Sequence, residues 1–320
     1  MIIGVTGASG HLGGNLIRVL LTQGHQVKVL VQRDTRALEG LDLERVEGGL
    51  TESALARLCA DCDQVYHLAA YIGLSSKDKE ISEQVNVAGT RLVVGACQKA
   101  GVGRLIHCSS IRALSAYPLK VQVDETRELA LKSHYVYDYT KAQAEEIVLA
   151  SGLDAVIVNP TAVIGPFDFK PSRMGLAFRD LQAGKLPIVT TGGFNWVDVR
   201  DVVGGMVAAA ERGSTGERYL LCGHYRTLME LCTEMAGYME VSSPRMALPT
   251  GLVRLGVPLV QFMGWVRGKE PLFNHASLDA LIQHQDISSQ KARDQLGYAP
   301  RHLEETLRAI AQELREGISE

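Results

Sequence analysis

The sequence predicts an α/β fold, a doubly wound parallel sheet with a smaller C-terminal lobe interleaved with it. Short, mostly apolar runs alternate with helical patterns through the first half of the chain, and several of them are continuously apolar. Continuous apolar strands are typical of parallel sheets that helices cover on both faces. A chain of 320 residues is long enough for one large domain or two unequal ones.

The first strand and helix follow each other directly. Residues 2–6 are apolar and predict a buried strand, and residues 11–24 predict a helix because apolar residues recur on one helical face before a glycine ends the pattern. The residues of this pattern are Leu12, Leu16, Val19, Leu20 and Gly24.

The later elements follow the same alternation. Further strands are predicted at 27–31, 45–47, 64–68, 104–108 and 155–158, and further helices at 80–100, 135–150 and 303–314. Since ligands of such sheets bind at the carboxyl ends of the strands, functional residues are expected directly after the strands.

Composition excludes several classes of protein. The net charge is only -3, hydrophobic residues make up 46% and charged residues 22%, and no basic block is present, which argues against a nucleic-acid partner. No run of about 18 apolar residues predicts a membrane-spanning helix. Residues 251–266 form the most apolar late segment and could be a core helix, a substrate lid or a membrane-surface helix.

The six cysteines are scattered, a pattern typical of free thiols in a reducing compartment, so a cytoplasmic location is predicted. Cys59 and Cys62 form a C-x-x-C pair, but neither a second pair nor a nearby histidine completes a metal site. No metal is therefore expected.

Three glycines, Gly7, Gly10 and Gly13, lie between the first strand and the first helix in a G-x-x-G-x-x-G spacing. Glycine allows a positive φ and close approach of the backbone to a pyrophosphate, which the start of the following helix attracts. The loop therefore predicts dinucleotide binding on a Rossmann fold, with Ser9, His11 and Leu12 as further contacts.

The end of the second strand favours NADP. Proteins that bind NAD usually have Asp or Glu there, whereas this chain has Gln32, Arg33 and Asp34. Arg33 could pair with a ribose 2′-phosphate, with Arg36 assisting. NAD is the alternative, with Asp34 binding the ribose.

A tyrosine and a lysine, Tyr137 and Lys141, lie four residues apart and therefore on one face of a helix. A nearby ammonium could lower the pKa of a tyrosine far enough for proton transfer. Ser110, after the fifth strand, could donate a hydrogen bond to a substrate carbonyl. These residues predict proton transfer coupled to hydride transfer from the dinucleotide. The competing interpretation is a packed aromatic beside a surface lysine.

The chain resembles the extended short-chain dehydrogenase/reductase family, which belongs to the NAD(P)-dependent epimerase/dehydratase superfamily, and most closely its dihydroflavonol-reductase-like branch. The resemblance covers nearly the whole chain and rests on ordered motifs. They are the glycine loop, residues 67–70 (HLAA), 86–90 (NVAGT), 137–145 with Tyr137 and Lys141, 159–166 (NPTAVIGP), 197–201 (VDVRD), 216–220 (GERYL) and 296–301 (LGYAPR).

The resemblance implies reduction of a ketone or aldehyde with NADPH, catalysed by Ser110, Tyr137 and Lys141. It further implies that Asn86 lies beside the nicotinamide. The cofactor-binding residues that it adds to the loop are Leu50, Ala69, Ala70, Tyr137, Lys141, Pro160 and Val163. Where relatives usually have Gly-Asp-Leu after the third strand, this chain has Gly48-Gly49-Leu50.

The expected division is a dinucleotide-binding domain over residues 1–165, to which about 190–222 return, and a mainly substrate-binding lobe over 166–320. The substrate is expected to be a small carbonyl compound in a largely apolar pocket, about half of whose candidate residues would face it. The candidates are Tyr71, Ser115, Tyr117, Phe167, Phe169, Met174, Phe194 and Trp196, with Ile72 beside them.

Two other functions stay open. A nucleotide-sugar epimerase or dehydratase would keep NAD tightly bound and needs a basic clamp, for which the candidates are Lys170, Arg173, Arg179 and Lys185. A non-catalytic NADP sensor is the other. A homodimer is also open, because helices 80–100 and 135–150 could pack either against their copies or against the sheet.

Overall fold

The computed structural model describes residues 1–32, 34–73, 75–254 and 275–317. Arg33 and most of the apolar segment 251–266 lie outside the described residues; residues 250–254 are helical.

A seven-stranded sheet forms the centre of the molecule, with all neighbours parallel and the order β10-β6-β5-β4-β1-β2-β3. Its strands are β1 (Ile2–Thr6), β2 (Gln26–Val31), β3 (Glu44–Glu47), β4 (Gln64–His67), β5 (Arg104–Cys108), β6 (Ala155–Pro160) and β10 (Arg218–Leu221). The predicted doubly wound fold is confirmed. The strand order reverses between β1 and β4, which is where such sheets bind their ligands.

Helices cover both faces of this sheet, as the continuously apolar strands require. One core lies under α1 (His11–Thr22) and α7 (Val199–Arg212), and the other lies under α2 (Glu52–Cys59) and α4 (Gly89–Ala100). Helix α2 was not expected from the sequence. It begins at Thr51, whose hydroxyl accepts from the Ala54 N–H, and Cys59 is its last residue.

The predicted helix 80–100 consists of three consecutive parts. They are α3 (Lys79–Ser82), a π-helical segment (Glu83–Ala88) and α4, which ends at Gly101 with a φ of 66°. A π-helical turn inside an α-helix is frequent at functional sites, because it displaces side chains from the regular helical face. The helix of Tyr137 and Lys141, α5, spans Val136–Leu149.

The C-terminal half contributes a second core and two small sheets. β7 (Ala162–Ile164), β9 (Gly193–Asp198) and β11 (His224–Thr227) form one sheet, and β8 (Ile188–Thr190) pairs with β12 (Met246–Leu248) in the other. The remaining helices are α6 (Arg173–Gln182), α8 (Leu228–Met239), α9 (His275–Ala280), α10 (Gln290–Leu296) and α11 (Leu303–Glu316). This core is separate from those of the main sheet.

Within the described residues, no helix combines the length and the apolar character needed to cross a bilayer. All six cysteines are free and buried, and the described part of the chain brings no three metal-ligating side chains together.

Candidate active site

The glycine loop after β1 packs so closely against neighbouring backbone that it has no room for side chains at Gly7 and Gly13. A Cβ on Gly13 would lie 2.2 Å from the Gly7 carbonyl oxygen, and a Cβ on Gly7 would lie 2.6 Å from the Ala69 nitrogen. Gly7 also has a φ of +74°, which favours glycine. Helix α1 begins after Gly10, and no side chain caps it. Its first N–H groups can therefore bind an anion, so the loop fits a dinucleotide pyrophosphate.

The first turn of α1 also holds the loop after β7. A ring nitrogen of His11 lies 3.0 Å from the Pro166 carbonyl oxygen, and Asn15 Nδ2 donates to the same oxygen at 3.1 Å. This contact brings the segment after Pro166 against the side of α1 rather than over the ends of β5 and β6.

A chain of hydrogen bonds joins the glycine loop to the π-helical segment. Thr6 Oγ1 lies 2.7 Å from His67 Nδ1, His67 Nε2 lies 3.0 Å from Thr90 Oγ1, and Thr90 donates to the Asn86 carbonyl at 2.6 Å. Burial lowers the pKa of His67 to about 3, with the charge of Lys141 acting in the same direction. His67 is therefore neutral and serves as a fixed spacer.

Asn86 lies in the π-helical segment and is buried. Its Nδ2 donates to Thr140 Oγ1 at 3.0 Å, and Thr140 lies on α5 between Tyr137 and Lys141. Asn86 therefore holds the helix of the predicted catalytic residues from the side.

The structure brings Ser110 and Tyr137 together. Ser110 follows β5 by two residues, is 8% exposed, and lies close enough to Tyr137 to act on the pKa of its phenol. Burial raises the pKa of Tyr137 to about 12, and Ser110 acts against that rise. The expected lowering of the tyrosine pKa by a neighbouring ammonium is not found here, because burial dominates.

Lys141 lies one turn further along α5 and is 2% exposed. Its Nζ donates to the Cys108 carbonyl at 2.9 Å, and burial lowers its pKa. Ser110, Tyr137 and Lys141 thus meet at the carboxyl end of β5, as the spacing predicts.

Sequence reasoning missed the charged residues that surround this group. Arg112 forms an ion pair with Asp138, and the buried Glu145 binds both Asn159 and Arg218. Glu145 belongs to the motif that contains Tyr137 and Lys141, and this membership could have identified it from the sequence. No sequence feature identifies Arg112 or Asp138 as buried, since charged residues in loops and helices usually face solvent.

The carboxyl end of β2 carries a surface ion pair. Arg36 donates to both carboxylate oxygens of Asp34, at 3.1 and 2.9 Å, and the positive charge of Lys170 reaches the same carboxylate. Asp34 is therefore engaged by cations rather than presented alone to a ribose. Gln32 Nε2 lies close to Gly49, and Leu50 packs against Gly89.

The remaining cofactor candidates lie at the same edge of the sheet. Pro160 ends β6, Val163 lies within β7 and packs against the core of the main sheet, and Ala69 and Ala70 follow β4. Ala69 donates its N–H to Thr6 Oγ1 at 3.3 Å.

Three of the predicted substrate residues pack against other parts of the protein. Trp196 is 1% exposed, and its Nε1 donates to the Arg226 carbonyl at 3.0 Å, so it belongs to the core of the C-terminal half. Phe167 and Phe169 stack on each other under the guanidinium of Arg18, which lies 4.9 and 5.4 Å from their ring centres. They are held there because Pro166 is tied to α1.

The other candidates differ in exposure. Phe194 packs edge-on against the Trp196 ring, and Met174 is partly buried in the same core. Tyr71 lies beside Asn86, while Tyr117 is 65% exposed and its N–H donates to Ser115 Oγ at 3.2 Å. Tyr71, Ser115 and Tyr117 therefore remain predictions for the rim of the site.

Two candidates for the basic clamp have identified surroundings. Lys170 acts on Asp34 at the end of β2, and Arg179 lines a cavity of about 30 Å³ between α6 and α11 with Asp168 and Glu313. The clamp itself stays a prediction.

Comparison with known proteins places these motifs in a family context. Residues 3–222 match the NAD dependent epimerase/dehydratase family. The chain is 33% identical to sterol demethylase protein B of Methylococcus capsulatus, over 92% of this chain and 93% of that protein. It is 31% identical to a protein of Synechocystis sp. named as a dihydroflavonol 4-reductase, over 95% and 91% of the two chains.

A third relative, from Stigmatella aurantiaca, is named 4-hydroxy-2-methyl-3-oxo-4-farnesyl-3,4-dihydroquinoline-1-oxide ketoreductase. It is 31% identical over 93% of this chain and 91% of its own. Among solved structures, the crystal structure of gox2253 aligns with a TM-score of 0.85 at 32% identity, covering 99% of this chain and 98% of that one.

Proposed function

The chain belongs to the NAD dependent epimerase/dehydratase family, and from that premise we propose that it is an NADPH-dependent reductase of a ketone or aldehyde. The observation that carries the proposal is that Ser110 and Tyr137 lie together at the carboxyl end of β5, where Lys141, one helical turn from Tyr137, donates to the Cys108 carbonyl at 2.9 Å. Two relatives are named as a dihydroflavonol 4-reductase and a ketoreductase, which supports reduction over other activities of the family.

Ser110, Tyr137 and Lys141 have different roles in the reduction of a carbonyl group. When bound, NADPH supplies the hydride that adds to the carbonyl carbon. The Ser110 hydroxyl donates a hydrogen bond to the carbonyl oxygen, and Tyr137 gives that oxygen its proton. A tyrosine with a pKa of about 12 is protonated at neutral pH, which is the form a reductase needs at the start. We assign to Lys141 the stabilisation of the phenolate that remains.

NADPH is the proposed cofactor because the end of β2 carries cations. Arg36 is held there by Asp34, and Lys170 adds a second positive charge. The 2′-phosphate of NADPH could bind Arg36 and Lys170. The Asp34 carboxylate, which would bind the ribose 2′-hydroxyl of NAD, is already paired with Arg36.

The proposed substrate is an apolar carbonyl compound with a ring system. Ile72 and Tyr117, in the loops after β4 and β5, are 63% and 65% exposed and present apolar surface. The names of the sterol, dihydroflavonol and farnesyl-quinoline relatives support a substrate of this class.

The alternative, a nucleotide-sugar epimerase or dehydratase, is favoured by the name of the family. It would retain NAD through purification, whereas the reductase would exchange its cofactor freely. An absorbance spectrum of the purified protein separates the two, since retained dinucleotide adds an absorbance that the protein lacks.

The test of the reductase proposal is NADPH oxidation with a panel of cyclic ketones and aldehydes by wild type, Tyr137→Phe and Tyr139→Phe. Tyr137→Phe is expected to lower kcat about a hundredfold or more, the usual range for loss of a general acid. Tyr139 lies on the same helix but donates to Glu83 Oε1 at 2.9 Å, so its variant is the matched control. Equal rates for both variants would refute the assignment.

The setting of the enzyme is part of the proposal. Six buried free thiols support a reducing, cytoplasmic location.

Residues 1–165 and about 190–222 are proposed to bind the dinucleotide, and residues 166–320 mainly to bind the substrate. Two observations support this division: β10 belongs to the main sheet, and the C-terminal half has a separate core. A homodimer through α4 and α5 is proposed because these helices pack side by side on one face of the sheet; light scattering during size-exclusion chromatography tests it.

A further inference from the structure

An ion pair joins the two segments that carry Ser110 and Tyr137. Arg112 Nε and Nη2 donate to the two carboxylate oxygens of Asp138 at 2.9 and 2.8 Å. The two side chains are 15% and 9% exposed. Because both bonds of the planar guanidinium are made, the pair fixes orientation as well as distance. Arg112 lies two residues after Ser110, and Asp138 directly follows Tyr137.

The pair also contacts Ser110 and the C-terminal half. The Arg112 N–H donates to Ser110 Oγ at 3.2 Å, so a shift of Arg112 moves the serine hydroxyl. Arg112 Nη1 donates to Gln283, and a ring nitrogen of His284 lies 3.0 Å from the Leu114 carbonyl oxygen. The guanidinium therefore connects the Ser110 loop, α5 and the segment after α9.

We propose that Arg112 and Asp138 are a positioning pair, which holds the Ser110 hydroxyl against the Tyr137 phenol and is itself seated by Gln283. The proposal rests on the reductase function in so far as that geometry serves proton transfer. Neither residue touches the reacting atoms, so each acts through Ser110 or Tyr137.

The two charges act on Tyr137 in opposite directions. Arg112 lowers the pKa of Tyr137 and Asp138 raises it, both less strongly than burial does. Arg112→Gln should therefore raise the pKa of Tyr137, and Asp138→Asn should lower it. These opposite shifts test whether both charges act on Tyr137, and the loss of kcat in each variant tests whether the pair positions Ser110 and Tyr137. The other titratable or charged groups around the pair are the same in both variants: Cys108, His134, Tyr135, Lys141, His284 and the Arg254–Asp279 pair.

The first measurement is the pH dependence of kcat and kcat/KM for carbonyl reduction. Each single variant should lose about tenfold to a hundredfold in kcat, since a displacement of about 1 Å can cost that much. Reduction needs the protonated phenol, so the rate falls as pH rises through the pKa of Tyr137. The alkaline limb should move to higher pH in Arg112→Gln and to lower pH in Asp138→Asn.

Two further variants keep the test decisive if one charge alone destabilises the fold. The double variant Arg112→Gln/Asp138→Asn leaves no unpaired charge, and should restore the position of the alkaline limb while kcat stays low. Gln283→Ala keeps the pair, removes its contact with the C-terminal half and should lower kcat less than Arg112→Gln does.

The second measurement needs neither cofactor nor substrate. Carbon-13 at Cζ of the tyrosines gives a resonance for Tyr137, assigned by its loss in Tyr137→Phe, that reports the surroundings of the phenol beside Ser110. It should move in Arg112→Gln and in Asp138→Asn. Asp154→Asn is the matched control, because Asp154 accepts from Arg104 Nε at 2.9 Å at the opposite end of β5.

These measurements distinguish failure of the proposed reductase function from failure of the positioning pair. Wild type that reduces no carbonyl compound with NADPH would refute the proposed function, while the tyrosine resonance would still decide the positioning pair. An unmoved resonance in both single variants, or alkaline limbs that move in the same direction, would overturn the positioning pair with the reductase intact.

Discussion

The side-chain amide of Asn86 is hydrogen-bonded to both main-chain polar groups of Tyr71. Oδ1 accepts from the Tyr71 N–H at 2.8 Å, and Nδ2 donates to the Tyr71 carbonyl at 2.9 Å. Since the same Nδ2 also reaches Thr140 on α5, one buried amide fixes the loop after β4 against the helix that carries Tyr137 and Lys141.

Asn86→Leu should destabilise the protein by about 3 kcal/mol, because it removes three hydrogen bonds of one buried amide, two to the Tyr71 main chain and one to Thr140 Oγ1. Urea denaturation measures the change in the free energy of unfolding. Gln98→Ala is the control on α4: it removes an exposed hydrogen bond to Ser151 and should change stability by less than about 0.5 kcal/mol. Similar losses in the two variants would contradict the clamp.

Gly13→Ala should weaken NADPH binding by about tenfold or more, which is about 1.4 kcal/mol. The new methyl group would meet the Gly7 and Ala8 carbonyl oxygens at 2.2 and 2.7 Å, where the backbone must stay close to admit the pyrophosphate. Fluorescence titration with NADPH gives the Kd. Gly95→Ala, in the middle of α4 with nothing within 4 Å of its new Cβ, should bind NADPH as wild type does.

Arg36→Gln should raise the Kd for NADPH by about tenfold and leave the Kd for NADH nearly unchanged, because only NADPH has a 2′-phosphate to lose a cation. Titration with both cofactors measures the ratio. Arg308→Gln is the matched control, because Arg308 is also an exposed arginine that pairs with an acidic residue, Glu304 on α11. It should leave the Kd values for NADPH and NADH unchanged. A parallel loss for both cofactors in Arg36→Gln would speak against NADPH selection at this place.

Glu145→Gln should destabilise the protein by about 3 kcal/mol or more, since it leaves the charge of Arg218 buried without its partner. Glu145 is fully buried, lies 2.9 Å from Arg218 Nη2 and accepts from Asn159 Nδ2 at 2.6 Å. Thermal denaturation should show a clear fall in Tm. The matched exposed pair gives the control: Glu304→Gln should leave Tm unchanged, and an equal fall there would refute the prediction.

Acid should destabilise the protein in part through His284, whose pKa burial lowers to about 4. Between its unfolded pKa of about 6.5 and about 4, the unfolded chain binds a proton that the folded chain does not, so stability falls by up to about 1.4 kcal/mol per pH unit. His284 has a φ of 48°, which asparagine tolerates. In His284→Asn the urea-derived free energy should therefore depend less steeply on pH.

The internal control for His284 is the range above pH 7, where histidine is neutral in both states. There the curves of wild type and His284→Asn should run parallel. His67 and His107 keep some acid sensitivity in the variant, because burial lowers their pKa values as well. Identical slopes below pH 6.5 would contradict the assignment.

Local patterns predicted the main elements with small errors. The continuous apolar runs fixed six strands of the sheet, and the four-residue spacing placed Tyr137 and Lys141 on one face of α5, because both features depend only on neighbours in the chain. Helix α2 was missed because its eight residues are mostly polar or small. Trp196 was misjudged because an apolar side chain near a predicted cleft gives the same sequence pattern whether it faces substrate or is buried in a core.

The chain's own sequence determined the parallel sheet, the glycine loop and the catalytic candidates, since spacing and periodicity specify them locally. The tertiary structure alone decided that Arg112 meets Asp138, 26 residues away, and Gln283, 171 residues away. Which charges become buried partners depends on how helices and loops from distant parts of the chain pack together, and no local pattern of residues encodes that packing.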